Sequence, residues 1–267
     1  MSHLILVRHG QSEWNLENRF TGWVDVDLAP KGKFEACKAG ELIKEKKIEI
    51  DHFFTSYQKR AIETLKLIFN TLRVKDNQII KAWQLNERHY GSLTGLNKEE
   101  MKKKLGEKKV HEFRRSWNIS PDPLSKNSPY HPINIEAYKN VPQENIPDAE
   151  SLKDTYERVF PYFKKEILSK LENGKNILIS AHGNSLRAIC KYLFNLNEDK
   201  IKLITEQVVS HYAWKSTRES CWPPSTIYVS GCIQTWSVWP YCTLANVKSP
   251  RIKHFSTPKH WKRSRGS

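Results

Sequence analysis

Leu4-Ile5-Leu6-Val7-Arg8-His9-Gly10 is the stretch that decides the fold. A short, continuous apolar run that closes on a charge, a histidine and a glycine predicts a buried strand of a parallel sheet followed by a tight turn. The pattern returns at Ile177-Leu178-Ile179-Ser180-Ala181-His182-Gly183. In open parallel sheets, ligands bind at the carboxyl ends of the strands. Both histidines therefore project into one site if their strands are neighbours. One such unit alone is commonplace. Two in one chain point to paired chemistry.

Working outward, Ala29-Pro30-Lys31-Gly32 predicts a turn and a helix start, with Ala36, Ala39, Gly40 and Ile43 at helical spacing. His52 to Ser56 predicts a second strand. A helix over 60–72 follows, with Ile62, Leu65, Ile68, Phe69 and Leu72 on one face. Ile79 to Ala82 predicts a third strand, and 98–117 is a run of charged helix formers. Six prolines punctuate 118–148, which predicts a lid or substrate-capping insertion. Helical periodicity returns over 151–171, then a strand over 176–180 and a helix over 185–193. Strands alternating with helices give a three-layer α/β fold with a mainly parallel central sheet.

The 267 residues fit one large domain or a domain with an appendage. The longest apolar runs fall far short of the roughly 20 residues that cross a bilayer, so a soluble, cytoplasmic protein is expected. Five cysteines without a C-x-x-C pair support neither a disulfide framework nor a zinc site. The net charge of +15 suits polyanionic partners without choosing among nucleic acid, membrane and small anions.

The histidine pair has a chemical use. A neutral imidazole can attack phosphorus and carry the phosphoryl group covalently. The transition state spreads negative charge over the equatorial oxygens, so cations must already surround it. Arg8 adjoins the first histidine, Arg60 begins a helix just after the Thr55-Ser56 strand end, and a protonated His182 would add a donor pair.

Longer motifs sharpen this. Arg8-His9-Gly10-Gln11-Ser12-Glu13-Trp14-Asn15 resembles the signature of the histidine phosphatase superfamily. Glu17-Asn18-Arg19-Phe20-Thr21-Gly22-Trp23, Leu85-Asn86-Glu87-Arg88-His89-Tyr90-Gly91, Gly95-Leu96-Asn97-Lys98 and His182-Gly183-Asn184-Ser185-Leu186-Arg187-Ala188 resemble the cofactor-dependent phosphoglycerate mutases. The likeness runs from residue 3 to residue 205. It implies the phosphoglycerate mutase fold and an isomerase of glycolysis and gluconeogenesis that interconverts 3- and 2-phosphoglycerate through a phosphohistidine. It implies His9 as nucleophile, His182 as its stabilising partner, and Glu87 as general acid/base toward the substrate hydroxyl. Acid function near neutrality would require surroundings that favour the protonated carboxyl. The resemblance further implies phosphate and substrate contacts from Arg8, His9, Gly10, Gln11, Ser12, Glu13, Trp14, Asn15, Thr21, Gly22, Arg60, Glu87, Arg88, His89, Tyr90, Lys98, Arg114, Arg115, Gly183 and Asn184. The cofactor it implies is 2,3-bisphosphoglycerate, the primer of His9, with no metal. The implied partners are phosphoglycerates, with neither nucleic acid nor membrane, and a homodimer or homotetramer is expected. Ser12 is the mutase residue, where bisphosphoglycerate mutases carry glycine.

Plainer readings stand beside these. Arg114 and Arg115 also suit a solvated basic face, although paired arginines are apt ligands for a carboxylate and a phosphate. Glu87 and Arg88 also suit a structural ion pair. Trp14, Trp23 and Trp83 are expected in the core.

The family pattern stops near residue 205, which divides the chain into a catalytic domain over 1–207 and an atypical basic tail over 208–267. The tail holds nine Lys/Arg, one acid, five of the nine tryptophans and three of the five cysteines. Composition favours an out-of-frame origin over an anion-binding extension. The expectation is a tail that does not pack, a sheet edge left open, and a phosphohistidine less shielded from water. Three functions follow: a mutase, a phosphatase-like or inactive remnant of one, or a basic nucleic-acid or anionic-surface binder using the tail with Lys259, Lys262, Arg263 and Arg265.

Overall fold

A computed structural model describes residues 2–74, 79–203, 213–215 and 225–230. Its centre is a six-stranded sheet in the order β3-β2-β4-β1-β6-β5. The strands are β1 (Ser2–Arg8), β2 (His52–Thr55), β3 (Ile79–Lys81), β4 (Ile177–Ala181), β5 (Ala213–Lys215) and β6 (Ser225–Ser230). All pairings are parallel except β5 with β6. Leu4, Leu6, Val7, Ile177, Leu178 and Ile179 are buried to within a few per cent, as expected of strands covered on both faces.

Helices cover both faces. They are α1 (Glu13–Leu16), α2 (Pro30–Glu45), α3 (Lys59–Leu72), α4 (Lys98–Leu105), α5 (Glu107–Arg115), α6 (Leu152–Tyr162), α7 (Ser169–Glu172), α8 (Gly183–Leu193) and α9 (Glu198–Leu203). On one side, Leu65, Ile68 and Phe69 of α3 and Ala39 and Ile43 of α2 pack against Ile5, Val7, Phe53 and Leu178. On the other, Val159, Phe163 and Ile167 meet Leu186 and Ile189 of α8 over Leu4, Leu6 and Ile179. Each fully buried aliphatic or Phe side chain contributes about 1.5–3 kcal/mol. The helix expected over 98–117 is interrupted at Gly106, which caps α4 and starts α5 with φ 86°, a conformation that favours glycine. The helix expected over 151–171 passes through a π-helical stretch, Phe163–Leu168, just after Pro161. Proline cannot donate to the ladder, and such local widening commonly follows where the ladder is broken.

The Pro-rich insertion has three short 3-10 turns, Pro132–Asn134, Glu136–Tyr138 and Gln143–Asn145. It is anchored where Tyr138 and Val141 pack on the buried Trp23, with the Tyr138 hydroxyl donating to the Trp23 carbonyl. The insertion is thereby tied to the turn that carries Gly22.

The expectation of an open sheet edge is corrected here. Residues Ser225–Ser230 pair in parallel along β1 from Ser2↔Ser225 to Val7↔Ser230. The ladder satisfies backbone groups that an edge would leave free. The proposed domain boundary at 207, the three tail cysteines and the basic end run lie outside the described residues.

Candidate active site

The β1–β4 register sets Val7 opposite Ser180 and Arg8 opposite Ala181. The ladder continues one step, with His9 N–H donating to the Ala181 carbonyl at 3.0 Å. His9 and His182 are thus brought side by side at the carboxyl ends of neighbouring strands. Their ring centroids are 5.0 Å apart, tilted by 58°.

Hydrogen bonding constrains what each ring nitrogen does. His9 Nδ1 lies 2.6 Å from the Gly10 carbonyl. A carbonyl only accepts, so Nδ1 carries the proton and Nε2 keeps its lone pair. His182 Nε2 lies 2.7 Å from Ser56 Oγ, which already accepts the Gln58 N–H. The Ser56 hydroxyl can give its proton to Nε2 or accept one from it; the other ring nitrogen is His182 Nδ1. That atom is buried and has no hydrogen-bond partner among the described residues. Burial first, then the charges of Arg60, His9, Arg158 and Arg8, hold the His182 pKa well below the usual histidine value. That direction favours the neutral imidazole in the ligand-free protein.

Arg60 opens α3 and is 1% exposed. Its Nε points at His9 Nε2 (3.3 Å), while Nη1 and Nη2 donate to the Val24 and Gly22 carbonyls, each at 2.9 Å. Gly22 bends with φ 55° to present that carbonyl. Gly10 permits a second close approach, since a Cβ there would run into the Gly32 carbonyl. Its N–H donates to Thr64 Oγ1 on α3.

Glu87, 9% exposed, has one carboxylate oxygen fully engaged. Oε1 accepts from Arg88 N (2.7 Å), Asn184 Nδ2 (2.8 Å) and Asn184 N (3.2 Å). Oε2 takes no donor among the described residues. Asn184 Nδ2 also lies 3.2 Å from the Tyr90 hydroxyl. The suggested Glu87–Arg88 ion pair does not form. The Arg88 guanidinium instead donates to the Arg114 carbonyl at 3.1 Å and lies over the Tyr90 ring at 4.7 Å, which joins the end of α5 to the Glu87 loop. Arg114 and Arg115, half-buried in the last turn of α5, sit where a helix terminus favours cations.

The other expected residues fall around this centre. Arg8 ends β1 close enough to act electrostatically on Arg60 and His182. Gly183 is the first residue of α8, whose N-terminus favours anions. Thr21 is buried, with Oγ1 unpartnered among the described residues. Gln11 N–H is held by Glu35. Ser12 and Asn15 form the capping box of α1, and Glu13 is exposed in its first turn. Trp14 is half-buried between Arg19 and Tyr130, unlike the core residue Trp23. Lys98 begins α4 with Nζ over the Phe20 ring. His89 takes a structural place: its ring is buried against His131, Nδ1 accepts from Gly91 N–H, and burial holds its pKa down to about 3.

Two supporting residues escaped the sequence reading. Gln58 donates to the Gly22 carbonyl and accepts from Glu87 N–H, bridging the Gly22 and Glu87 turns. Arg158 of α6 pairs with Glu150 and donates to the Gln84, Asn86 and Glu87 carbonyls. No local motif announces either one, because most of their partners are backbone atoms distant in sequence.

The sequence profile of the histidine phosphatase superfamily (branch 1) matches residues 4–131 and 126–221, which carries the likeness past residue 205. A 2,3-bisphosphoglycerate-dependent phosphoglycerate mutase of Pelagibacter ubique is 70% identical over 204 residues, 76% of this chain and 85% of that protein. Its counterpart in a Hydrogenobaculum species is 50% identical over 201 residues, 75% of this chain and 81% of that protein. Among solved structures, a mycobacterial glucosyl-3-phosphoglycerate phosphatase superposes with a TM-score of 0.56 at 18% identity, covering 74% of this chain and 82% of its own, a likeness of fold. With two strand-end histidines, two arginines and one carboxylate gathered as described, this chain belongs to the histidine phosphatase superfamily and, within it, to the 2,3-bisphosphoglycerate-dependent phosphoglycerate mutases.

Proposed function

We propose that the chain interconverts 3-phosphoglycerate and 2-phosphoglycerate with the phosphoryl group carried on His9 Nε2. The observation that carries the reading is the His9 imidazole, with Nδ1 tied to the Gly10 carbonyl and its lone pair presented beside Arg60. Attack forms the N–P bond as the substrate's ester O–P bond breaks. Arg60 and Arg8 neutralise the charge on the phosphoryl oxygens, and His182 Nδ1–H donates to one of them. An arriving anion offsets the arginine charges that, after burial, hold the His182 pKa down. Glu87, held through Oε1, uses Oε2 to take the proton from the accepting hydroxyl and to return it to the departing oxygen. Arg114 and Arg115 suit the substrate carboxylate and phosphate.

The donor set fits 2,3-bisphosphoglycerate: guanidinium groups, the α8 N-terminus and the unpartnered His182 Nδ1 and Thr21 Oγ1 are what a polyanion requires. When bound there, that cofactor supplies the first phosphoryl group. No group of three or more His, Cys, Asp or Glu side chains suited to a metal lies among the described residues. The reading takes its cations from arginine, and no described helix is long and apolar enough to cross a membrane. A cytoplasmic location suits a glycolytic enzyme. The phosphatase-like alternative has less support, since the relatives at 70% and 50% identity carry the mutase name.

The test is turnover of 3-phosphoglycerate with and without 2,3-bisphosphoglycerate, before and after exhaustive chelation. Turnover that needs the bisphosphate and survives chelation is expected. Turnover lost on chelation and regained with manganese or magnesium would contradict the arginine-based mechanism.

A further inference from the structure

We propose that Arg187 is a positioning residue for Glu87, acting through the orientation of the Asn184 amide. The inference rests on the reading of Glu87 as proton carrier. Arg187 lies on α8, three residues after Asn184 and on the same helical face. It is 0% exposed. Its Nη1 donates to Asn184 Oδ1 at 2.9 Å, and its Nη2 to the Ile201 carbonyl of α9 at 2.7 Å. A guanidinium has donors and no acceptor, so only the amide oxygen can face it. The other half of the amide is thereby committed. Nδ2 faces Glu87 Oε1 at 2.8 Å and the Tyr90 hydroxyl at 3.2 Å.

Without the cation, Asn184 Oδ1 becomes a buried acceptor with no donor, and Glu87 Oε1 alone is left to orient the amide. The flipped form would set Oδ1 against Glu87 Oε1, two acceptors face to face in a buried site, which is costly. Oε1 would keep the Asn184 and Arg88 backbone donors but lose the side-chain donor. The carboxylate could then rotate, and Oε2 would no longer be fixed for proton transfer. His9 is held by none of these contacts. Its nitrogens face the Gly10 carbonyl and Arg60 Nε, neither of them a partner of the Asn184 amide. Arg187 should therefore affect the proton-transfer steps and spare the nucleophile.

Two reactions separate these effects. Phosphoglycerate turnover needs a proton carrier at the substrate oxygen. Phosphorylation of His9 by p-nitrophenyl phosphate has a leaving group that departs without one. Arg187→Ala should lower kcat for phosphoglycerate by about 10- to 100-fold, part of the range for losing a general acid/base. KM should move by less than about threefold, and phosphorylation by the aryl phosphate by less than about twofold. Guanidinium ion should restore part of the lost kcat, and Arg187→Lys, with one compact donor group, should fall between. Equal loss of both reactions, or loss of neither, overturns the proposal. If Arg187→Ala does not fold, Arg187→Lys carries the same comparison. Glu87→Gln is the reference. If it shows the selective loss and the Arg187 variants do not, this inference alone fails. If Glu87→Gln itself lacks the selective loss, the reading of Glu87 fails and the inference falls with it.

Discussion

The histidines make their own case residue by residue. Two of them, His89 and His182, are buried and kept neutral, with the His89 pKa held to about 3. A histidine whose folded pKa lies below its unfolded value takes up its proton on unfolding. Its effect is absent above the ordinary value of about 6.5 and destabilises progressively as pH falls below it. Each contributes about 1.4 kcal/mol per pH unit once well below that value. Urea midpoints followed from neutral to mildly acid pH should fall with that slope. His89→Asn keeps an acceptor for Gly91 N–H and should remove the His89 share of it. An unchanged slope in that variant would show that His89 is protonated in the folded protein. His9 and His182 were legible in the sequence because each is announced by its own strand and glycine. Gln58, Arg158 and Arg187 were not. A polar side chain on or beside an amphipathic helix reads as solvent-facing, yet these three reach inward to carbonyls and amides.

At the scale of elements, most of the fold was open to sequence reading because its signals are local. The apolar runs of β1 and β4 and the single apolar face of α3 each declare burial and period together. The break at Gly106 and the π-helical stretch after Pro161 were missed, since both hinge on backbone detail inside otherwise helical composition. The strand β6 was missed for a different reason. Thr226-Ile227-Tyr228-Val229 has strand-forming residues, but the abrupt change in composition around it drew the opposite conclusion. Helix α5 ends on Arg114 and Arg115 and is tied by Arg88 to the Glu87 loop. Replacing both arginines with alanine should raise KM for phosphoglycerate by about tenfold or more, the loss of one or two charge-assisted contacts. Phosphorylation of His9 by a small aryl phosphate should change far less. Equal loss in both measurements would assign the pair a structural role instead.

For the whole molecule, a mainly parallel sheet sets two histidines at its strand ends, and a Pro-rich insertion is anchored on Trp23. The pairing of β6 with β1 makes residues beyond 207 part of the sheet. Truncation after Gln207 would expose the full edge of β1, and it should lower the unfolding midpoint and increase aggregation. A truncated chain as soluble and as stable as the whole would contradict that pairing. The sharpest test concerns His9. Incubation with 2,3-bisphosphoglycerate should yield an acid-labile, base-stable phosphoenzyme that mass spectrometry of the peptide places on His9. It should discharge to 3-phosphoglycerate at a rate compatible with turnover, and His9→Ala should yield none. A phosphoenzyme of normal yield in His9→Ala, or a label placed on another residue, would contradict the account.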